Sequence, residues 1–161
     1  MDVKVTIWVD NDACPVQIKQ IVYKASQRLK VPVVLVANRV IPPPKSNLVR
    51  AVTVAKGADI ADQHIIDEVN QHDIVVTADV PLAQAIVDKG GVAIDPRGHI
   101  YDPATISERR SIRDFMTQLR SDGVQTGGPR GFGVKERQRF ANTLDRTLTK
   151  SLKAAQTNKN P

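Results

Sequence analysis

Two aspartates two residues apart stand in the run Val5-Thr-Ile-Trp-Val-Asp10-Asn-Asp12-Ala-Cys14-Pro15, and acids at comparable places recur downstream. Asp79 ends Asp73-Ile-Val-Val-Thr-Ala-Asp79, Asp95 follows Val92-Ala-Ile94, and Asp59 and Asp62 stand three apart at the start of a helical pattern. Carboxylates gathered at one place repel one another and resist ionisation unless a cation neutralises them. The cations that take all-oxygen ligand sets are hard divalent ions, Mg2+ or Mn2+. Such ions polarise a phosphate, acidify a bound water and stabilise a leaving oxygen, so the chemistry a cluster of this kind suits is phosphate-ester hydrolysis.

Each acid also has a plainer role. Asp10 could serve a turn, although a second carboxylate at Asp12 favours a site. Asp79, just before Val80-Pro81, suits a helix N-cap. Asp59 and Asp62 suit a helix start through its dipole. Asp95 precedes Pro96 and reads as a turn acid. Cys14, near a helix start, could be a nucleophile, but a small buried cysteine is the commoner case. His64, His72 and His99 show no metal-ligand spacing and read as surface or structural residues.

These acids need a scaffold that brings them together. Val5 to Val9 reads as a buried parallel strand delivering Asp10 to the carboxyl edge of a sheet, where open α/β folds place their ligands. Pro15 to Lys30 reads as a helix, with Val16, Ile18, Ile21, Val22, Ala25 and Leu29 as its apolar stripe. Strands follow at Pro32 to Asn38 and Leu48 to Val54, separated by a loop that holds three consecutive prolines, Pro42 to Pro44. A helix over Ala58 to Asn70, the strand ending at Asp79, a helix opened by Pro81 and stopped by Gly90-Gly91, and the strand Val92 to Ile94 complete the alternation. A further helix is expected over Ser107 to Asp122, with Arg109, Arg110, Arg113 and Arg120 largely outward. Then come a glycine-rich loop up to Gly133 and a basic amphipathic helix from Val134 to Leu152. Strands alternating with helices call for a mostly parallel, doubly wound sheet in an α/β fold. A single domain over residues 1 to 152 is expected, with 153 to 161 as a disordered tail.

Composition sets the boundaries of function. At 161 residues the chain has about the commonest domain size. Its one cysteine excludes an internal disulfide framework, and no apolar stretch approaches a membrane span. A cytoplasmic protein without membrane contact is expected. The net charge of +6 is unevenly placed: residues 1 to 127 balance 15 basic against 15 acidic side chains, whereas residues 128 to 161 hold 8 against 2. That surplus suits a phosphate-rich partner, as it also suits a merely solvated helix.

Val9-Asp-Asn-Asp-Ala-Cys-Pro15, Lys56-Gly-Ala-Asp-Ile-Ala-Asp62, Val75-Val-Thr-Ala-Asp79, Thr126-Gly-Gly-Pro129 and the basic Arg137-Gln-Arg-Phe-Ala-Asn142 helix resemble the YaiI/YqxD family of small bacterial proteins, over residue 5 to about 150. That family is grouped with PIN-like nuclease domains. The resemblance implies a three-layer αβα sandwich with strand order 3-2-1-4-5, an acidic Mg2+ or Mn2+ site, and Asp10 and Asp79 facing each other where the strand order reverses. By the same resemblance Asp10 and Asp79 are the expected catalytic residues. Asp59 or Asp62 supplies the helix acid, and Asp95 matches weakly. Cys14-Pro15 and the glycine-rich stretch depart from ordinary PIN domains.

Three functions compete. The first is a metal-dependent nuclease, acting on RNA, with Asp10, Asp12, Asp59, Asp62 and Asp79 around the metal and Arg130, Lys135, Arg137, Arg139 and Arg146 on backbone phosphates. The second is a nucleic-acid-binding module that keeps the fold without turnover. The third is a haloacid-dehalogenase-like phosphatase using Asp10 and Asp12, a fold that also needs a later lysine and a final acidic pair, whereas Asp79 stands without an adjacent acid. The oligomeric state is left open.

Overall fold

A computed structural model of the chain describes residues 5–57, 59–109 and 133–159, with side chains as far as residue 156. Its sheet is built from β1 (Ile7–Asp10), β2 (Val33–Ala37), β3 (Val49–Thr53), β4 (Ile74–Val76) and β5 (Val92–Ile94). All four pairings are parallel and the order is β3-β2-β1-β4-β5, as expected. The helices among the described residues include α1 (Val16–Leu29), α2 (Ile60–Glu68), α3 (Val80–Asp88) and the long α4 (Val134–Lys159).

The β-branched runs become central strands because both of their faces are covered. Alternate residues separate the two sides. Ile7, Val9, Val33, Leu35, Ile74, Val76 and Ile94 face α1 and α4, packing on Ile18, Val22, Phe140, Leu144 and Leu148. Trp8, Val34, Val36, Val75 and Ala93 face the other way, onto Ile65 of α2 and Leu82, Ala83 and Ile86 of α3. The result is the expected three-layer sandwich. By the same alternation Asp10 turns to the α2 and α3 side, the side Trp8 takes.

β1 is pinned at its base by Asp73, whose buried carboxylate accepts from Thr6 N at 3.0 Å, the Trp8 indole at 3.0 Å and Asn70 N at 2.9 Å. α4 is pinned on the turn after β5. Gly98 has φ +92°, and a Cβ there would lie 2.7 Å from Arg139 C and Phe140 N, so only glycine lets the helix seat so closely. Thr143 donates to Gly98 O at 2.7 Å, and Arg139 and His99 pair at 3.0 Å.

Some expectations give way. α4 continues past Leu152 to Lys159, with Ala155 buried in the core, so most of the expected tail is helix. One small inward residue is enough to hold a turn when the helix is already docked. Residues 103–109 are already helical, because Asp102 accepts from Thr105 N at 2.7 Å and starts the helix upstream of Ser107. Arg109, expected outward, turns in to the buried Asp95 and lies 4.9 Å over the Tyr101 ring. The remaining expectations for Arg110 to Asp122, for the glycine-rich loop and for Arg130 lie outside the described residues.

Candidate functional site at the carboxyl edge of the sheet

β1 and β4 pair with Val9 opposite Val76, so the next residues, Asp10 and Thr77, emerge side by side at the point where the strand order reverses. Thr77 joins the edge together. Its hydroxyl donates to Asp10 Oδ2 at 3.0 Å and accepts from Asp79 N at 3.0 Å. Asp79 then caps α3, its Oδ1 accepting from Leu82 N at 2.8 Å, with Pro81 in the first turn. The plainer role foreseen for Asp79 is therefore real, and it engages one of the two carboxylate oxygens.

The electrostatics of this edge are those of crowded acids. Burial raises the Asp10 carboxyl above its ordinary value; the Thr77 hydrogen bond opposes the rise, and repulsion from Asp12 and Asp79 adds to it. Asp62, half-buried in the first turn of α2, is pushed up to about 6 by burial and then by the charges of Asp79, Asp10 and Asp59. Asp59 occupies the N-cap of α2 with φ 63° and makes no side-chain cap. Asp12 lies in the 3-10 turn Asn11–Ala13, exposed, with Oδ2 accepting from Asn38 N at 3.4 Å and Arg39 at 4.0 Å from Oδ1. Asp12 thus leans toward the loop after β2.

Asp10, Asp62 and Asp79, with Asp59 near, form one field of negative charge. The donors are all carboxylate oxygens, which fits a hard cation in chemistry. The spacing does not yet fit: among the described residues no three His, Cys, Asp or Glu side chains are placed so that they could hold a metal ion. The five aspartates expected as a ligand set are gathered by charge without closing into a coordination shell, because Thr77, the α3 cap and the Asn38 amide each draw a carboxylate its own way.

The other candidates sort by layer. Asp95 is a buried turn acid: Oδ1 accepts from Arg97 N and His99 N, both at 2.9 Å, and Oδ2 pairs with Arg109. Cys14 is buried and its thiol is pushed up to about 12, chiefly by desolvation, so it is no nucleophile at neutral pH. Lys135, Arg137, Arg139 and Arg146 all lie on α4, in the layer opposite α2 and α3. His64 meets the Trp8 ring edge-on at 6.4 Å.

Sequence reasoning did not find the buried Asn11, whose Oδ1 accepts from Lys19 Nζ at 3.0 Å while Nδ2 has no partner among the described residues. Nor did it find the Tyr101 hydroxyl, which donates to Thr77 O at 3.2 Å and accepts from Arg109. An asparagine between two aspartates was the one available signal for Asn11. Tyr101 carried none, since its partner lies 24 residues away.

The profile of a bacterial family described as uncharacterised, YaiI/YqxD, matches residues 8–150. The chain belongs to the YaiI/YqxD family. Its similarity to curated relatives runs nearly end to end. It is 50% identical over 150 residues to a UPF0178 protein of Trichlorobacter lovleyi, covering 93% of this chain and 97% of the relative. It is 52% identical over 144 residues to one from Dechloromonas aromatica, covering 89% and 96%. A Yersinia enterocolitica UPF0178 protein is 47% identical over 148 residues, covering 92% and 97%. No solved structure matches the chain. Among the described residues no helix is long and apolar enough to cross a membrane. The YaiI/YqxD match runs from before Asp10 into α4 as far as residue 150, so the acidic edge and the first two-thirds or so of the basic helix belong to the family's shared length.

Proposed function

We propose that the carboxyl edge is the site of a metal-dependent nuclease that hydrolyses phosphodiesters, with RNA as its substrate, in a PIN-like cytoplasmic protein. The observation that carries this reading is geometric: Asp10 and Thr77 emerge side by side where the strand order reverses, and Thr77 ties Asp10 to Asp79. The Asp62 carboxyl, raised by burial and then by Asp79, Asp10 and Asp59, agrees with it. Acids that repel at a strand-order reversal are in want of a counter-charge, and Mg2+ or Mn2+ supplies it. To hold the ion, Asp10, Asp62 and Asp79 would have to draw closer than they stand, with Asp59 and Asp12 at its margin. When bound, it would polarise the phosphate and activate a water. The chain's own part is orientation: Thr77 fixes Asp10 Oδ2 and, through the Asp79 amide, the start of α3. The basic side chains of α4 would take the flanking phosphates.

The binding-module reading keeps one specific observation in its favour, the open spacing of the carboxylates. One experiment separates the two. Purified chain is incubated with end-labelled single-stranded RNA and Mn2+, beside Asp10→Asn, while Mn2+ thermal shifts are recorded for both. The nuclease reading expects Mn2+-dependent cleavage that falls at least about 100-fold in the variant, together with loss of its thermal shift. Undiminished cleavage in Asp10→Asn would overturn it. Binding without cleavage or thermal shift in the unmodified chain would establish the module instead. A phosphoryl group trapped on Asp10 would revive the phosphatase.

A further inference from the structure

α1 and α4 lie side by side on one face of the sheet, and between them runs a groove of about 640 Å3. Its walls are unusual for a seam between helices. Gln17, Gln20 and Lys24 of α1 and Arg137, Gln138 and Asn142 of α4 line it, together with Ile21 and Ala141. The two stripes advance together from Gln17 to Arg28 and from Val134 to Asp145. Arg28 and Asp145 meet at 2.5 Å, so the helices run parallel and this ion pair closes one end. At 1.5 Å per residue the groove is about 16 Å long. Its other end, at Gln17 and Val134, opens where α1 begins, a few residues beyond Asp10.

The charges on this face are arranged for an anion. α4 carries two acids among its many basic residues, and both serve anchoring pairs: Asp145 with Arg28 and Glu136 with Arg97 at 3.8 Å. Among the described residues neither Lys24 nor Arg137 has an ion-pair partner. Side-chain amides both donate and accept, which suits the edges of unpaired bases, and a guanidinium can stack on a base where aromatic side chains are scarce. At about 3.4 Å per phosphate along a stacked strand the length spans roughly five phosphates.

We infer that the α1–α4 groove is a track for single-stranded nucleic acid, with Lys24 and Arg137 on backbone phosphates and Gln17, Gln20, Gln138 and Asn142 on base edges. The inference rests on the nucleic-acid reading above and adds a wall to it: the track is made by α1 as much as by the basic helix. It leads the strand toward the sheet edge from the layer opposite the acidic one.

Binding is measured by fluorescence anisotropy with a labelled single-stranded RNA of mixed sequence, between 50 and 200 mM salt. The chain carries Asp10→Asn and the buffer a chelator, so that hydrolysis cannot obscure binding. Lys24→Gln with Arg137→Gln should weaken binding at least about tenfold and make the log–log salt slope shallower by about 1.4, since each single-strand phosphate contact contributes about 0.7. Arg50→Gln, on the exposed face of β3, should change neither. A second measurement uses the same chain without those groove substitutions: bound RNA should slow acetylation of Lys24 several-fold and leave Lys45, in the proline loop, untouched. Unchanged affinity and slope, equal acetylation of Lys24, or equal competition by a duplex would each overturn the track. Because cleavage plays no part, groove-independent binding sinks the track alone, and binding without hydrolysis sinks the nuclease alone.

Discussion

Asp62 carries the clearest energetic trace of the acidic edge. Folding lifts its carboxyl from 3.8 to about 6, so between those pH values the folded chain keeps a proton that the unfolded chain has released. The stability this group contributes is complete below about pH 4 and is lost as pH rises through about 6. Asp62→Asn should therefore stabilise the chain at pH 7 to 8, and the gain should vanish near pH 4. A rise of this size in a fully enclosed carboxyl would be worth about 3 kcal/mol, but Asp62 is substantially wetted, and about 1 kcal/mol, or about 2 to 4 °C in Tm, is the reasonable expectation. Thermal melts from pH 4 to 8 check it; a gain that persists at pH 4 would mean that packing, and not charge, is the cause. At this scale the sequence is legible where an acid follows a strand. That rule finds Asp10 and Asp79, and Pro96 marks the turn role of Asp95. Which oxygen each acid gives away is not legible, because Thr77, Leu82 and Asn38 become neighbours only through the sheet and the caps.

The elements explain why the acids crowd without closing. α3 begins on Asp79, and the helix start and the site compete for the same side chain. Asp79→Asn keeps an acceptor for Leu82 N and should leave stability within a few tenths of a kcal/mol, while Asp79→Ala should lose about 1 kcal/mol of helix capping. Urea denaturation of the two variants gives the capping contribution. The Mn2+ thermal shift of Asp79→Asn then gives the charge contribution, which the proposed nuclease expects to be absent. Should the asparagine variant melt like the alanine one, the carboxylate's charge would be holding α3, and capping alone would not describe it. The five strands and the helices between them were visible because β-branched runs and helical stripes alternate with proline and glycine punctuation, while the strand order came from the family resemblance and not from the pattern. The ends were less visible. Asp102 begins its helix well before the apolar pattern starts, and α4 outlasts its own stripe, since a cap and a single buried Ala155 leave little trace in periodicity.

Across the whole molecule the basic helix is a structural layer before it is a binding surface. Phe140, Leu144 and Leu148 are at most 1% exposed, and with Ala155 they cover the face of the sheet that α1 leaves open. A charge count describes α4 as a cationic tail, yet its inward stripe closes the core around Ile74, Val76 and Ile94. Deleting it would leave those strands apolar and wet. Phe140→Ala should cost about 3 to 5 kcal/mol and Leu148→Ala about 2 to 5 kcal/mol, a large part of the stability of a domain this size. A chain ending at residue 133 should lose its cooperative melt altogether, as followed by circular dichroism and amide hydrogen exchange at Val9 and Val76. Were the shortened chain to melt cooperatively within a few degrees of the full one, α4 would be an attachment whose apolar stripe has another use. If instead it unfolds as expected, nucleic-acid contacts on α4 are tied to the fold itself, and charge-reducing substitutions on its outer face, such as Lys135→Gln and Arg146→Gln, become the way to weaken binding while the buried stripe keeps the sheet covered.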